Sequence, residues 1–204
     1  MPGKNVVKEF APESFYHVYS RGVAKQTVFL DDQDYTKFIG LLKRYLDKAT
    51  KKRSNRSLYP DYNDRVDLLA YCLMPNHIHL LLYQRDADGM ALLMKSVMTS
   101  YGMYFNRKYD RVGPVFQGRY RASRISQDNY LYHISRYIHL NPRDWETYPY
   151  SSLKYYMSEA SADWVKPDRV LELFPNTKKY LEFIRDYEGY KSSLAEISWD
   201  LADS

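Results

Sequence analysis

Apolar and polar positions alternate along this chain in short stretches that switch between strand and helix spacing. The runs VDLLAYCL at residues 66–73 and IHLLLY at residues 78–83 are separated only by MPNH. Proline followed by asparagine favours a tight turn, because proline presets φ and asparagine tolerates turn conformations. These two runs therefore predict a β-hairpin. Residues 15–21, FYHVYSR, are rich in β-forming residues and end at Gly22, which predicts another strand.

Helical spacing of apolar residues fills the gaps between these strands. Asp31 or Asp32 is a candidate N-cap for the first helix, and Pro142 prevents the third from continuing. In chain order the pattern predicts strand 15–21, helix 32–48, loop 51–64, strands 66–73 and 78–83, helix 90–107, strand 120–125, helix 128–140, and short helices near 151–157 and 178–186.

The order strand, helix, strand, strand, helix, strand is that of a ferredoxin-like (RRM-like) α+β fold. In that fold an antiparallel sheet carries helices on one face, and we expect the other face to be free for a ligand. Residues 1–157 are predicted to form the folded domain, and residues 158–204 a helical C-terminal extension with an acidic tail.

Composition narrows the class of protein. The 204 residues are 45% hydrophobic and 16% aromatic, which is enough to bury a core and excludes a disordered chain. A single cysteine, Cys72, cannot form an intrachain disulfide, so a reducing compartment is expected. No apolar run approaches the length of a membrane span, and no export signal is evident. We therefore expect a cytoplasmic protein without a membrane partner.

The formal net charge of +5 conceals an uneven distribution. Residues 43–56 hold seven cations against Asp47 alone, and residues 107–124 hold six against Asp110 alone. The last nineteen residues are acidic, so the body of the chain is more basic than the total indicates. A charge run is usually a solvated face, and that alternative stays open for residues 43–56.

The run at residues 107–124 is the better candidate for nucleic-acid binding, because aromatic residues lie between its cations. Arginine and lysine contact phosphates, and aromatic rings stack on bases. The residues predicted to hold a nucleic-acid strand are Arg107, Lys108, Arg111, Phe116, Arg119, Tyr120, Arg121 and Arg124.

The first candidate for chemistry is His77-Ile78-His79 at the start of the second hairpin strand. Residues i and i+2 of a strand point to the same face, so both imidazoles project together. Two imidazoles supply half of a divalent-metal site, able to hold Mg²⁺, Mn²⁺ or Zn²⁺ depending on the remaining ligands. A chance pair of histidines is the alternative.

The second candidate is a polar stripe on the predicted helix 128–140. Tyr137 and Asn141 are four residues apart, and His133 lies one turn before Tyr137, so the three share a face. Taken alone, Tyr137 has a simpler interpretation as a packing tyrosine, one of 22 in the chain. Only its neighbours distinguish it from the others.

Together these residues carry a family resemblance. The chain contains RG at residues 21–22, VFLDD at 28–32, MPNHIHLL at 74–81, FQGRY at 116–120 and RYIHLNP at 136–142. In order and spacing these motifs resemble those of the IS200-like, Y1-type transposases of the HUH superfamily, and most closely the REP-associated tyrosine transposases. The resemblance covers about residues 10–157.

The resemblance implies a metal-dependent endonuclease and strand transferase that cuts single-stranded DNA near hairpins. His77 and His79 would be metal ligands, and Asn141 would take the place of the polar side chain that completes the site, with Mg²⁺ or Mn²⁺ as the cofactor. Tyr137 would be the nucleophile and would form a 5′-phosphotyrosine intermediate. His133 would assist the phenol or contact DNA, with an ordinary hydrogen-bonded histidine as the alternative. Single-stranded or hairpin DNA in the nucleoid would be the partner, bound by a monomer or a homodimer.

Two other functions stay open at this point. One is a domesticated hairpin-binding protein, for DNA or RNA, that retains the fold without turnover. The other is an RNA-processing protein, since ferredoxin-like scaffolds host many functions. The presence of His77, His79, Tyr137 and Asn141 together favours the enzyme.

Overall fold

A computed structural model gives the fold and describes residues 10–48, 53–54, 57–125 and 128–186. The acidic residues from Glu188 onward and part of the first basic run lie outside these ranges. The elements are β1 (Ser14–Arg21), α1 (Asp32–Leu46), β2 (Arg53–Ser54), β3 (Ser57–Leu58), β4 (Val66–Met74), β5 (His77–Gln84), α2 (Gly89–Lys108), β6 (Arg121–Ile125), α3 (Asp128–His139), α4 (Leu153–Tyr156), α5 (Asp168–Leu171) and α6 (Thr177–Arg185).

Four strands form one antiparallel sheet in the order β4-β5-β1-β6. β1 lies inside the sheet and pairs with β5 on one side and β6 on the other. β4 and β5 form the predicted hairpin, with Met74 opposite His77. This strand order, with α1 and α2 as the connecting helices, confirms the ferredoxin-like α+β fold.

Helices α1 and α2 pack against each other on one face of the sheet. α1 begins at its predicted N-cap, where the Asp31 side chain accepts a hydrogen bond from the backbone N–H of Asp34. The core of this layer includes Val18, Phe38, Leu42, Leu80, Val97 and Tyr101, none more than 1% exposed. Apolar burial on this face fixes which residues of each strand point to the opposite face.

Helix α3 covers much of that opposite face and contacts β4, β5 and β6. Ile134 and Ile138 pack with Leu81 in a second buried cluster, which Tyr180 and Ile184 of α6 also join. The expectation of a face left free for a ligand is therefore corrected, because the apolar stripe of α3 is buried there. The predicted domain boundary at residues 157 and 158 stays a prediction, although α3 and α6 share this buried cluster.

Most predicted elements lie within two residues of their observed bounds. The exceptions are β2 and β3, inside the predicted loop 51–64, and the four-residue helix α5. Elements of two to four residues are too short to show a period, so the pattern could not reveal them. None of the helices in the part of the chain that the structure describes combines the length and apolar character needed to cross a membrane.

Candidate active site

The two histidines of β5 lie on the face covered by α3. Strand register places His79 opposite Tyr19 of β1 and His77 opposite Arg21. Ile78, between them, points into the α1 and α2 core. His79 is only 2% exposed, whereas His77 is half-buried at the start of the strand. The sequence prediction of two imidazoles on one face is consistent with this register.

Helix α3 brings Tyr137 to these histidines. The Tyr137 ring meets the His79 ring edge-on, with centroids 5.3 Å apart and an interplanar angle of 88°. It also lies 5.8 Å from the ring of His17 of β1, at 78°. Tyr137 is half-buried, while its neighbour Ile138 is fully buried and holds this turn of the helix on the sheet.

Asn141 lies between the two β5 histidines. Its Oδ1 is 3.1 Å from Nε2 of His77, and its Nδ2 is 3.3 Å from Nε2 of His79. Asn141 follows α3 directly, and its backbone N–H bonds the Ile138 carbonyl at 3.4 Å, which extends the last turn. The side chain one turn after Tyr137 therefore reaches both imidazoles, as the spacing of four residues predicts.

Asn76 fixes the protonation of His77. Its Nδ2 donates to the backbone carbonyl of Lys25 at 3.2 Å, so its Oδ1 faces Nδ1 of His77, at 2.7 Å. An amide oxygen can only accept a hydrogen bond, which places the His77 proton on Nδ1, as inferred from this network. The lone pair of Nε2 then points at Asn141.

His17 has the corresponding role behind His79. Its Nε2 lies 2.9 Å from Nδ1 of His79, and the two rings stack with centroids 5.1 Å apart. If the Asn141 amide donates to Nε2 of His79, then Nδ1 of His79 carries the proton and donates to His17. Nδ1 of His17 is buried and has no hydrogen-bond partner among the described residues.

Burial keeps these imidazoles neutral. It lowers the pKa of His17 to about 3. It also lowers the pKa of His77 to about 4; the Oδ1 of Asn141, which would accept a hydrogen bond from the protonated ring, opposes the shift, and the charge of Arg21 adds to it. The pKa of His79 falls well below its usual value through burial and through His17 and His77 nearby. A neutral imidazole has a lone pair and can bind a metal.

The donor atoms at Asn141 fit a single divalent cation. Nε2 of His77 and Oδ1 of Asn141 both bear lone pairs and face each other at 3.1 Å. Two ligands bonded to one metal at about 2.1 Å lie about 3.0–3.4 Å apart. Within the described ranges no group of three His, Cys, Asp or Glu side chains is placed to hold a metal. His77, His79 and the amide of Asn141 are thus the set that would hold one.

A buried polar chain anchors α3 beside the site. Nδ1 of His139 lies 2.8 Å from the Tyr180 hydroxyl, and its Nε2 lies 2.8 Å from Oγ of Ser152. The Ser152 hydroxyl in turn accepts a hydrogen bond from the backbone N–H of Tyr71 on β4, at 2.8 Å. This chain ties the helix carrying Tyr137 to the sheet and to α6.

Two of the predicted nucleic-acid contacts, Arg119 and Arg121, lie beside the histidines. Both are exposed and line a cavity of about 450 Å³ at the end of β1. Arg107 and Arg124 are exposed elsewhere on the surface. Arg111 bonds the side chain of Gln26 at 3.3 Å.

Three further predicted contacts are engaged inside the fold. Lys108 donates to Asp31 at 2.7 Å and to Asp34 at 2.9 Å, so its charge is neutralised locally. The Phe116 ring is 5% exposed and packs in the main core, which removes it from base stacking. Tyr120 is half-buried, and its ring stacks with Phe10 at 6.5 Å.

His133 does not join the histidines of the sheet. Its Nδ1 lies 3.2 Å from a guanidinium nitrogen of Arg136, and its ring packs 5.5 Å from Phe183 of α6. Burial, and then the charge of Arg136, lower the pKa of His133. The structure therefore places it between α3 and α6.

Sequence reasoning missed His17 and Asn76. His17 was visible as a strand residue, but its contact with His79 depends on the register between β1 and β5, which local patterns do not encode. Asn76 stands in the MPNHIHLL motif and reads as a turn residue. The available signal is that Asn76 directly precedes His77, a predicted metal ligand.

Comparisons with known proteins identify the family and the fold. A family model described as IS200-like transposase matches residues 32–141. A structure of a REP-associated tyrosine transposase bound to a REP hairpin matches with a TM-score of 0.57 and 14% identity, over 80% of this chain and 92% of that one. A candidate transposase from Deinococcus radiodurans R1 matches with a TM-score of 0.40 and 16% identity, over 68% and 95%. No curated protein matches the chain.

The family match covers more than half of the 204 residues. It spans β5 and α3, and it includes His77, His79, Tyr137 and Asn141. The similarity to the REP-associated transposase independently shows the same fold. The resemblance inferred from the motifs is thereby confirmed, and the chain belongs to the IS200-like transposase family.

Proposed function

We propose that this protein is a metal-dependent single-stranded DNA endonuclease and strand transferase that cuts near hairpins. The observation that carries the proposal is the position of Tyr137, edge-on to His79, while Asn141 one turn later bridges both β5 histidines. The Tyr137 phenol and the three candidate metal ligands therefore lie on the same face of the sheet. The hairpin bound by the REP-associated transposase of the same fold supports hairpin DNA as the substrate.

Tyr137 is the nucleophile in this proposal. Its phenolic oxygen attacks the scissile phosphorus, a bond forms between that oxygen and phosphorus, and the bond from phosphorus to the 3′ oxygen breaks. The phenolic proton passes to solvent, and the departing 3′ oxygen takes up a proton to become a hydroxyl. The strand carrying the 5′ phosphate stays attached to Tyr137 as a phosphotyrosine.

His77, His79 and Asn141 are the residues that would hold a Mg²⁺ or Mn²⁺ ion. When bound, such a cation would polarise a phosphoryl oxygen and neutralise charge that develops during transfer. Asn76 holds the His77 proton on Nδ1, and with Nδ1 of His79 donating to His17 both Nε2 lone pairs face the Asn141 side chain. The Tyr137 ring lies against His79 because α3 is anchored by Ile138 and His139.

Strand transfer is the reverse reaction with a different 3′ hydroxyl. That hydroxyl attacks the phosphotyrosine, a new phosphodiester forms, and the Tyr137 oxygen leaves and regains a proton. One ester replaces another in each step, so no nucleotide hydrolysis is required. Whether one chain or a homodimer acts stays a prediction, as does the assignment of the wider basic surface to DNA.

The test is formation of a covalent protein–DNA adduct. The protein is incubated with Mn²⁺ and labelled hairpins from the flanks of its own gene, then separated under denaturing conditions. We expect Tyr137→Phe to abolish the adduct while hairpin binding persists. Tyr130→Phe is the matched control, because Tyr130 is an exposed tyrosine of the same helix, and it should retain the adduct. An adduct in the Tyr137→Phe protein would overturn the assignment.

The same assay separates the alternatives. Tight hairpin binding without any adduct in the unmodified protein would favour a domesticated binding module. Preference for RNA over DNA hairpins of equal sequence would favour an RNA-processing function.

A further inference from the structure

A cavity of about 450 Å³ adjoins the candidate active site at the end of β1. Four cations line it, namely Arg21, Lys25, Arg119 and Arg121, and its remaining walls are Tyr19, Ser20 and Gln117. No carboxylate is among the lining residues, and no ion pair within the described ranges involves any of the four cations. Such a cavity attracts an anion.

The register of the sheet fixes the cavity beside the histidines. Arg21 pairs with His77, and Arg121 pairs with Tyr19, which itself pairs with His79. The Tyr19 ring lies 5.7 Å from that of His77 and 5.0 Å from that of His79. Tyr19 therefore lines the cavity and also contacts both histidines of the candidate active site.

The walls are fixed by backbone contacts. Lys25 adopts a left-handed conformation, with φ of 60°, and its carbonyl accepts the hydrogen bond from Asn76. On the other side, the backbone N–H of Gln117 donates to the carbonyl of Arg21 at 2.7 Å. A non-glycine residue in the left-handed region is strained, so the contacts around Lys25 must hold this loop in place.

One lining side chain lacks a full set of partners inside the protein. Nε of Arg21 is buried, with no hydrogen-bond partner among the described residues. Buried polar groups are normally hydrogen-bonded. An anion with acceptor oxygens in this cavity would supply a partner for the Arg21 guanidinium.

We propose that this cavity binds the backbone phosphate of the nucleotide adjoining the scissile one, on the same single strand of DNA. The inference rests on the proposed function and adds Arg21 and Lys25 to the strand-binding residues. A volume of about 450 Å³ is within the range of pockets that hold small ligands, and it suffices for one phosphate with its sugar. Arginine donors suit a diester phosphate because they form paired charge-assisted hydrogen bonds.

The test combines a phosphate scan with charge-removing variants. In the Tyr137→Phe background, which prevents turnover, hairpin oligonucleotides carry one neutral methylphosphonate at each backbone position in turn. Fluorescence anisotropy gives the affinity of the parent, Arg21→Gln, Arg121→Gln and Lys95→Gln proteins. Lys95 is exposed on α2, away from this face, and controls for loss of charge alone.

We expect one methylphosphonate, next to the cleavage position mapped from the Tyr137 adduct, to weaken binding by the parent about tenfold. In Arg21→Gln or Arg121→Gln the same substitution should cost less than about twofold, because the partner of that phosphate is gone. Lys95→Gln should retain the full tenfold effect. Each cavity variant should also lower the salt dependence of binding by about one phosphate contact.

Persistence of the full methylphosphonate effect in both cavity variants would overturn the proposal. Competition with inorganic phosphate tests whether the cavity is a site for free anions instead. If millimolar phosphate competes and the scan shows no position-specific effect, the proposal is also overturned. The adduct assay is read separately in protein with Tyr137 intact. A missing adduct with a position-specific coupling would therefore refute the nuclease while leaving the cavity assignment in place.

Discussion

Helix α3 contributes to two histidine clusters, one around His139 and one around His77 and His79. The clusters differ in whether both ring nitrogens of the histidine have a hydrogen-bond partner of the right kind inside the protein. At His139 both ring nitrogens have a hydroxyl partner at 2.8 Å, from Tyr180 and Ser152. At His77 the Nε2 lone pair faces the Oδ1 of Asn141 at 3.1 Å, with no donor between them. Burial lowers the pKa of both, to about 3 for His139 and about 4 for His77.

The difference shows that burial and a lowered pKa do not by themselves identify a functional histidine. A histidine with two internal partners is complete and contributes to stability. A histidine whose lone pair faces another acceptor lacks an internal donor at that nitrogen, and a bound cation would supply the missing partner. The partner of the second ring nitrogen therefore distinguishes the candidate active site at His77 from the structural cluster at His139. We expect substitution of His77 to lower activity and substitution of His139 to lower stability.

The largest effect is expected for His77→Ala. Loss of one imidazole ligand should reduce metal-dependent cleavage at least about a thousandfold, equivalent to about 4 kcal/mol in the barrier. The half-buried position of His77 should keep the change in unfolding free energy small. Adduct formation and Mn²⁺ binding by electron paramagnetic resonance are measured together. Undiminished activity would remove His77 from the metal site.

His139→Ala should have the opposite profile. It removes a fully buried ring and leaves Tyr180 and Ser152 each short of a partner. We expect the unfolding free energy to fall by about 3 kcal/mol, from the cavity left by the ring and from two lost hydrogen bonds. Urea denaturation measures this change. A loss below about 1 kcal/mol would show that the chain through His139 does not anchor α3.

A third cluster surrounds Asp34. In it a charged side chain has its hydrogen-bond partners inside the protein. Asp34 accepts hydrogen bonds from Lys108, Tyr104 and Tyr109, at 2.9, 3.0 and 2.8 Å. Burial raises the pKa of Asp34, but hydrogen bonds from Lys108, the backbone of Leu30 and the two tyrosines outweigh it, so the pKa lies below its usual value of 3.8.

Asp34→Asn should therefore lower stability at pH 7 by about 2 kcal/mol, because charge-assisted hydrogen bonds are lost. A lowered pKa means that the native state favours the ionised form, so this stability is present above the unfolded pKa and is lost as pH falls through the native one. The difference between wild type and Asp34→Asn should begin to narrow below about pH 4 and shrink further as the pH falls through the native pKa. Thermal unfolding across pH 3–7 measures it, and a difference that stays constant would contradict the ion pair.

The smallest effect is expected for Asn76→Ala, which leaves all three proposed ligands in place. Without the amide oxygen, the His77 proton is no longer held on Nδ1, and Mn²⁺ affinity should fall about tenfold. Isothermal titration calorimetry measures the affinity. Asn63→Ala, in the turn that precedes β4, at the opposite end of that strand from His77, is the control and should bind Mn²⁺ like wild type. Equal affinity in the two variants would show that Asn76 is only a turn residue.

Local spacing predicts the central features of the fold and site. A period of two places His77 and His79 on one face, and a separation of four aligns Tyr137 with Asn141. Both relations hold within a single element, so the sequence suffices for them. The elements themselves follow from apolar periodicity and from signals such as the Asp31 cap.

Relations between elements are where sequence reasoning fails. The pairing of His17 with His79 depends on strand register, and the cover of α3 over the second face depends on where its apolar stripe docks. Phe116 and Lys108 lie in a run of aromatic and cationic residues. The sequence of such a run is the same whether its side chains face DNA or pack inside the protein. In the structure Phe116 packs in the core, and Lys108 binds the carboxylates of Asp31 and Asp34. The composition of the run does not predict either contact.

The interior position of β1 fixes the spacing between the candidate active site and the cavity. Tyr19 and Arg21 of this strand are two residues apart, about 7 Å along the backbone; both line the cavity, and the Tyr19 ring also contacts the rings of His77 and His79. Slipping β1 by one residue would turn both side chains into the α1 and α2 core, so this distance cannot be adjusted gradually. Under the proposed function, the distance between the phosphate held in the cavity and the phosphate that is cleaved is therefore constant.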